Sequence, residues 1–230
     1  MTDLPARLDE VRERIAAAAA RSGRRPEAVR LVAVSKTRPL ADVEVLAAAG
    51  QADFGESTIQ DAGTKIPQRP DLTWHLVGHL QSNKTRFVPA LFDWVHSVDG
   101  EKIAARIARA AEQQGKVIDI LLQVNVSGDP AKYGFAPGEL LPAAERLLQQ
   151  GLPGIRLRGL MTIGRRDAGP DDTRRSFAAL RELADEAARR FGAEPFRELS
   201  MGMSGDYEIA VEEGATLVRV GTGLFGARQV

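Results

Sequence analysis

The sequence predicts an α/β fold, a single TIM (β/α)8 barrel with an extra amino-terminal helix, as one domain over residues 1–230. From Leu31 onward, short apolar segments alternate with alanine-rich helical segments, which is the pattern of repeated strand–helix units. The strand candidates number eight, the count needed to close this barrel. A length of 230 residues suits such a barrel, and neither a linker nor an internal repeat divides the chain.

The elements can be assigned in chain order. Apolar residues at helical spacing predict a first amphipathic helix over residues 4–21. The predicted strands are residues 31–35, 52–55, 73–78, 94–98, 118–126, 155–163, 198–202 and 217–221. Helices between them are predicted at residues 41–49, 101–113, 138–148, 172–191 and 206–213. Too few residues follow Gly221 for a full closing helix, so we expect the amino-terminal helix to cover that gap.

Composition narrows the functional classes. Basic and acidic residues both number 31, so no net charge attracts nucleic acid or an anionic membrane, and a small-molecule ligand is expected instead. The chain has no cysteine and only three histidines, so neither disulfides nor a metal site is expected. It shows no signal-peptide pattern and no apolar run of membrane-spanning length, which favours a cytoplasmic protein.

Polar residues are placed to meet at one end of the barrel. Strand side chains alternate between the interior and the helix layer, and active sites of these barrels lie at the carboxyl ends of the strands. By this alternation, the inward-facing polar side chains are those of Lys36, His75, Gln123, Asn125 and Arg219. Lys36 is the most unusual, because an ammonium at the end of an apolar strand must reach either solvent or a partner.

The loops after the last two strands predict a phosphate site. Such barrels often bind phosphate there, and this chain has residues 203–206 (MSGD) and 221–223 (GTG) in those loops. Glycines let backbone N–H groups approach an anion, helix starts favour negative charge, and the hydroxyls of Ser204 and Thr222 add donors. An amine able to form a Schiff base, together with a phosphate cradle, predicts pyridoxal 5'-phosphate (PLP) as the cofactor.

Each candidate also has a purely structural interpretation. Lys36 could extend to solvent from a strand end, and either glycine-containing loop could be an ordinary turn. His75 could be a hydrogen-bonded wall residue, and Arg219 could pair with an acidic residue inside the barrel. Lys132 and Tyr133, after the fifth strand, could form a surface turn or cover a ligand.

Several longer motifs match a known family. They are residues 31–36 (LVAVSK), 54–56 (FGE), 74–84 (WHLVGHLQSNK), 96–99 (HSVD), 157–161 (LRGLM), 199–204 (LSMGMS) and 218–228 (VRVGTGLFGAR). Through them the chain resembles, almost end to end, the PLP homeostasis proteins, also called the YggS or PROSC family. That family is similar in fold to the barrel domain of alanine racemase.

The resemblance implies cofactor contacts for Lys36, Ser57, His75, Met161, Ser200, Ser204, Arg219, Gly221 and Thr222. Lys36 would hold PLP as a Schiff base, the residues of the two glycine-containing loops would hold the phosphate, and Arg219 would face the pyridine nitrogen. Ser200, His75 and Met161 would line the pocket.

Two further positions bear on the resemblance. The family usually has asparagine where this chain has Ser57, so a hydroxyl replaces a carboxamide that could both donate and accept. Lys132 matches a family lysine that could hold PLP transiently.

The function implied is intracellular PLP homeostasis, as a carrier or buffer, and amino-acid balance. We expect a non-catalytic protein. Protonated Arg219 cannot accept a proton from a pyridinium, so the ring nitrogen of PLP stays neutral. A neutral ring nitrogen makes PLP a weaker electron sink. Expected partners are PLP, amino acids and, transiently, apo PLP enzymes, with the chain itself a monomer.

Two alternatives remain. One is a PLP-dependent amino-acid racemase or lyase of narrow specificity, with Lys36 as its base. The other is an aldolase-like barrel that forms a Schiff base with phosphosugars without a cofactor.

Overall fold

The computed structural model describes residues 3–129, 132–165 and 168–226. Eight parallel strands close into a barrel in sequence order, with β1 paired to both β2 and β8. The strands are β1 (Arg30–Val34), β2 (Asp53–Glu56), β3 (Thr73–Leu76), β4 (Trp94–Val98), β5 (Ile118–Gln123), β6 (Ile155–Met161), β7 (Glu198–Ser200) and β8 (Leu217–Val220). The predicted TIM barrel is therefore confirmed.

Helices surround the barrel. In the described part of the chain they are α1 (Leu4–Arg21), α2 (Leu40–Ala48), α3 (Ile59–Lys65), α4 (Val88–Leu91), α5 (Glu101–Glu112), α6 (Pro137–Gln150), α7 (Pro170–Phe191), α8 (Tyr207–Glu212) and α9 (Thr222–Phe225). Short 3-10 helices cover Pro26–Ala28, Ile66–Gln68, Ser82–Phe87 and Glu194–Phe196. None of these helices combines the length and apolar character needed to cross a lipid bilayer.

Helix α1 occupies the place of a closing helix. It packs against α8, α9 and α2, and its residue Leu8 is completely buried. Arg14 and Arg21 extend this contact, because they donate hydrogen bonds to Glu208 at 2.9 Å and to Glu212 at 2.7 Å on α8. Helix α9 has only four residues, so α1 covers the gap after β8 as the sequence predicted.

The core has two layers. A continuous apolar layer fills the space between the barrel and the helices. A smaller cluster fills the barrel interior, and consists of Val32, Trp94, Leu121, Met161 and Leu217. The rest of the interior is polar, and the buried side chains there require hydrogen-bond partners.

The structure differs from the predicted elements in two ways. Strands β1, β3, β5, β6, β7 and β8 end one to three residues earlier than predicted, and Lys36 lies in the loop after β1. Helices α3, α4 and α9 were not predicted; α3 forms because Thr58 caps it, accepting from the N–H of Asp61 at 3.1 Å, and because Lys65 makes a buried contact. Ala227 and Arg228, in the last matched motif, lie outside the described residues.

Candidate cofactor site

Lys36 lies in a tight turn just beyond β1. The N–H of Arg38 donates to the carbonyl of Ser35 at 3.0 Å, which closes the turn. Thr37 has a φ of 62°, and no other non-glycine residue in the described ranges has a positive φ. A β-branched residue rarely adopts this conformation, and such strain is concentrated at functional sites. The Lys36 side chain is exposed and has no hydrogen bond or ion pair with any described residue, so its amine is available.

A buried ion pair holds the backbone directly before Lys36. Lys65 Nζ lies 2.7 Å from Glu56 Oε1 and also donates to the carbonyl of Ser35 at 2.7 Å. The hydroxyl of Ser35 donates to the same carboxylate oxygen at 2.7 Å. The second oxygen, Glu56 Oε2, is buried without a hydrogen-bond partner. Ser35 is therefore fixed through both its side chain and its backbone, and the turn that presents Lys36 starts from a rigid point.

The loops after β7 and β8 meet at Ser204. The backbone N–H groups of Gly221 and Gly223 donate to Ser204 Oγ at 3.2 and 3.1 Å. A Cβ on Gly223 would lie 2.9 Å from a methyl carbon of Val220, so only glycine fits there without rearrangement. Thr222 is exposed between the two glycines. The loops thus bring together N–H groups and two hydroxyls, a donor set that suits an oxyanion.

This donor cradle borders the strand that leads to Lys36. A Cβ on Gly221 would lie 3.4 Å from the carbonyl oxygen of Val34, the last residue of β1. The pairing of β1 with β8 brings the two strand ends together. The cradle therefore lies beside the strand end that Lys36 follows by two residues.

Arg219 lies inside the barrel and is 5% exposed. Its Nη1 donates to Ser200 Oγ at 2.6 Å, and its Nη2 donates to the carbonyl of Thr162 at 2.8 Å. Neither contact is an ion pair, so within the described residues the structural alternative of a salt bridge is not observed. Burial lowers the pKa of Arg219 to about 10, with the negative charge of Asp206 acting in the opposite direction. Arg219 is therefore charged at neutral pH and offers only donors.

Ser200 continues into a row of buried polar groups. His96 Nδ1 lies 2.8 Å from Ser200 Oγ, and His96 Nε2 lies 2.9 Å from His75 Nδ1. His75 Nε2 lies 2.9 Å from Asp53 Oδ1, at the amino end of β2. Burial lowers the pKa of His75, and burial with the charges of neighbouring groups lowers the pKa of His96 well below 6.5. Both imidazoles are therefore neutral at pH 7.

Two predicted contact residues lie away from this row. Met161 is completely buried in the apolar cluster of the barrel interior, where it packs with Trp94 and Leu121. Ser57 is half-buried beyond the end of β2, and its hydroxyl has no hydrogen-bond partner among the described residues. Ser57 borders a separate cleft of about 230 Å³ together with His79.

The loop after β5 reaches across the mouth of the barrel. Tyr133 stacks on His79 of the loop after β3, with ring centroids 3.7 Å apart and planes 13° apart. Lys132 Nζ donates at 3.3 and 3.0 Å to two backbone carbonyls of the loop after β6, and burial lowers the pKa of Lys132. Gln123 secures the loop by donating to the carbonyl of Tyr133 at 2.9 Å. This arrangement favours a cover over the mouth rather than a surface turn.

Sequence reasoning missed three parts of the site. His96 could have been found, because it alternates with Val95 and Ser97 on β4 as His75 alternates with Trp74 and Leu76 on β3. No sequence pattern pointed to Asp53, because it begins β2, at the end of the barrel opposite the candidate site. The pair of Glu56 and Lys65 was missed because α3 was not predicted.

Comparison with known proteins identifies the family. The family model of the alanine racemase N-terminal domain matches residues 6–229. The pyridoxal phosphate homeostasis protein of Pseudomonas aeruginosa is 46% identical, over 99% of this chain and 97% of its own length. This chain belongs to the pyridoxal phosphate homeostasis protein family. The resemblance seen in the sequence motifs is therefore confirmed.

Two solved structures extend this result. PipY of Synechococcus elongatus, solved with PLP bound, is 39% identical, and the match covers 97% of this chain and 100% of that one with a TM-score of 0.85. An alanine racemase from Clostridium difficile is 15% identical, and the match covers 89% of this chain and 56% of that one with a TM-score of 0.72. At that identity the racemase shows a shared barrel fold.

Proposed function

We propose that this chain binds PLP at the carboxyl ends of β1, β7 and β8, holds it as a Schiff base on Lys36, and acts as a PLP carrier or buffer. The observation that carries this proposal is that Lys36, whose amine has no partner among the described residues, lies two residues beyond the strand end that borders the donor cradle at Ser204 and Gly221. When bound, PLP supplies an aldehyde that condenses reversibly with a primary amine, with loss of one water molecule.

The residues present fit the cofactor. Ser204, Thr222 and the N–H groups of Gly221 and Gly223 would hold the phosphate. Arg219 would donate to the ring nitrogen from inside the barrel, where it has no carboxylate partner within the described residues. The family name of the relatives and the PLP-bound PipY structure support the same ligand.

Arg219 favours a carrier over a catalyst. A buried guanidinium that remains charged offers a hydrogen bond to the ring nitrogen but no acceptor for a proton there. The ring then withdraws electrons weakly, which disfavours reactions that pass through a carbanion. Lys36 is exposed, so water, amines and protein partners can reach the bound cofactor and release it.

The physiological setting follows from this role. We propose that amino acids and apo PLP enzymes are transient partners, that the chain acts as a monomer in the cytoplasm, and that it forms one domain. Ser57 and Met161 are the more distant of the proposed contacts, Ser57 at the rim and Met161 in the packed interior below.

Borohydride trapping tests the proposal. Reduction of the PLP-loaded protein converts a Schiff base into a stable secondary amine, and peptide mass spectrometry then identifies the modified lysine. We expect the label on Lys36 and its loss in Lys36→Ala, with an unchanged circular dichroism spectrum. Lys132→Ala is the matched control and should keep the label on Lys36. A label that persists in Lys36→Ala, or a wild-type protein that takes up no PLP, would contradict the proposal.

The same material tests the racemase or lyase alternative. Loaded protein is incubated with a panel of amino acids in D2O, and exchange at the α-carbon is followed by NMR. We expect no exchange above free PLP. Rapid exchange that disappears in Lys36→Ala would replace the carrier by an enzyme.

A further inference from the structure

An unbroken row of hydrogen bonds crosses the barrel interior, from Arg219 near the mouth to Asp53 at the amino end of β2. Its members, in order, are Arg219, Ser200, His96, His75 and Asp53, and each contact measures 2.6 to 2.9 Å. The two end groups differ in kind, because a guanidinium can only donate and a carboxylate can only accept. The hydrogen bonds of the row are therefore all donated in the same sense, from Arg219 toward Asp53.

The end groups fix every proton between them. Ser200 Oγ accepts from Arg219, so its single proton is free to be donated to Nδ1 of His96. His96 then carries its proton on Nε2 and donates it to Nδ1 of His75. His75 in turn carries its proton on Nε2 and donates it to Asp53. A neutral imidazole has one N–H and one acceptor nitrogen, so both histidines satisfy the row without a charge.

We propose that Asp53, His75 and His96 are positioning residues for PLP, which hold Ser200 with an oxygen lone pair toward Arg219 and so keep the guanidinium aligned with the ring nitrogen. This inference rests on the proposed PLP site. The serine hydroxyl is the critical member, because a rotated Ser200 would point its own proton at the guanidinium. Hydrogen bonding to His96 prevents that rotation, and Asp53 prevents the tautomer change in the histidines that would permit it.

The surroundings of the two histidines are consistent with this order. His75 stacks on Trp94, with ring centroids 5.7 Å apart and planes 19° apart, which fixes the ring plane. Arg30 Nη1 lies 3.7 Å from Asp53 Oδ1, so a positive charge faces the carboxylate at the end of the row. The charged groups facing His75 are Asp53, Arg30 and Asp93, and those facing His96 are Arg219 and Arg30.

A protonated His75 is the competing arrangement. It would donate from both nitrogens, reverse the bond to His96, and make Ser200 accept from both sides, which leaves its hydroxyl proton unused. The two arrangements place different protons on both rings. They are therefore distinguishable by spectroscopy without any cofactor.

Nitrogen-15 NMR of the histidines in PLP-stripped protein tests the order directly. The His79 signal is assigned by its loss in His79→Gln and the His96 signal by its loss in His96→Gln, and the remaining signal is that of His75. At neutral pH we expect His75 and His96 to be neutral, each with the proton on Nε2.

In Asp53→Asn the new amide can donate, so the signal of His75 should change. Asp119→Asn, at the amino end of β5 and paired with Arg156, is the matched control and should leave both signals unchanged. A doubly protonated His75, or a His96 protonated on Nδ1, would overturn the inference.

The cofactor provides the second measurement. PLP affinity and the absorbance maximum of the loaded protein are compared in wild type, Asp53→Asn and Asp119→Asn. We expect an affinity loss of about fivefold and a shifted maximum in Asp53→Asn only, the size expected for a weakened hydrogen bond. If Asp53→Asn does not fold, His75→Phe provides the same test, because a phenyl ring neither donates to Asp53 nor accepts from His96.

The outcomes separate the two proposals. Wild-type protein that binds no PLP would contradict the proposed function, whatever the histidine signals. Wild-type protein that binds PLP, together with an Asp53→Asn variant of unchanged affinity and spectrum, would contradict the positioning role alone.

Discussion

The ammonium of Lys65 lies 2.7 Å from the carboxylate of Glu56, and both side chains are buried behind the strand end that presents Lys36. The same two groups hold Ser35 by its hydroxyl and its carbonyl. The turn that presents Lys36 therefore starts from an ion pair outside the barrel interior, between β2 and α3.

Breaking this pair should destabilise the protein. Lys65→Met leaves Glu56 buried without a counter-ion, and we expect the free energy of unfolding in urea to fall by about 3 to 5 kcal/mol. The double variant with Glu56→Gln should lose less, because no isolated charge remains. Lys84→Met removes a lysine outside any ion pair of the described residues and is the control. Equal losses of unfolding free energy in Lys65→Met and in the double variant would show that the unpaired charge of Glu56 is not the cause of the loss.

Gly223 in the donor cradle should be needed for tight binding of the PLP phosphate. In Gly223→Ala the new Cβ would lie 2.9 Å from Val220, so the loop must shift and its N–H moves away from the cradle. We expect PLP affinity, measured by absorbance titration, to fall by about tenfold, as for the loss of a hydrogen bond to a charged group. Gly205→Ala, whose Cβ would contact nothing within 4 Å, should bind PLP normally. Equal affinities for the two variants would remove Gly223 from the phosphate site.

The stacked pair of Tyr133 and His79 should slow cofactor release. Tyr133→Ala removes a ring contact at the mouth of the barrel, and we expect PLP to leave about three- to tenfold faster, the range for one aromatic pair. Release is measured by transfer of PLP to excess phenylhydrazine, which captures the free aldehyde. Phe87→Ala, an exposed aromatic residue on the 3-10 helix Ser82–Phe87, serves as the comparison. No acceleration in Tyr133→Ala would rule out a covering role for this pair.

The buried histidines should make the fold sensitive to acid. Burial lowers the pKa of His75 and His96 below the usual 6.5, so the unfolded chain binds more protons than the folded chain as pH falls below that value. Their contribution to stability is fully present above pH 6.5 and is lost as pH falls. Between pH 7 and 5 we expect His96→Gln to reduce the slope of stability against pH by up to about 1.4 kcal/mol per unit.

The measurement is urea unfolding of wild type and His96→Gln at several pH values. His79→Gln, which removes a partly exposed histidine outside the buried row, is the comparison variant. A His96→Gln slope identical to wild type would mean that the folded and unfolded chains bind the His96 proton equally, so that burial does not lower the pKa of His96.

Much of the candidate site could be predicted from the sequence, because its residues lie at or just beyond the carboxyl ends of predicted strands. The strand pattern placed Lys36 and Arg219 at carboxyl ends, and the fold itself indicated the loops containing Ser204 and Gly221. Helix α3 was not predictable in this way, because Gly63 weakens its helical propensity and a tertiary contact through Lys65 supports it. Asp53 was equally hidden, since only the pairing of β2 with β3 brings the start of β2 beside His75.

Closure by the amino-terminal helix has a consequence for how the protein is made. The contact of Arg14 with Glu208 spans 194 residues, so α1 leaves the ribosome early and gains its partner only when the chain is nearly complete. Such distant contacts slow folding because a long loop must be closed first. Ser204 and Gly221 belong to the same late segment as Glu208, so a nascent chain displays Lys36 long before the proposed phosphate contacts exist. The proposed cofactor site is therefore completed in the step that joins α1 to α8.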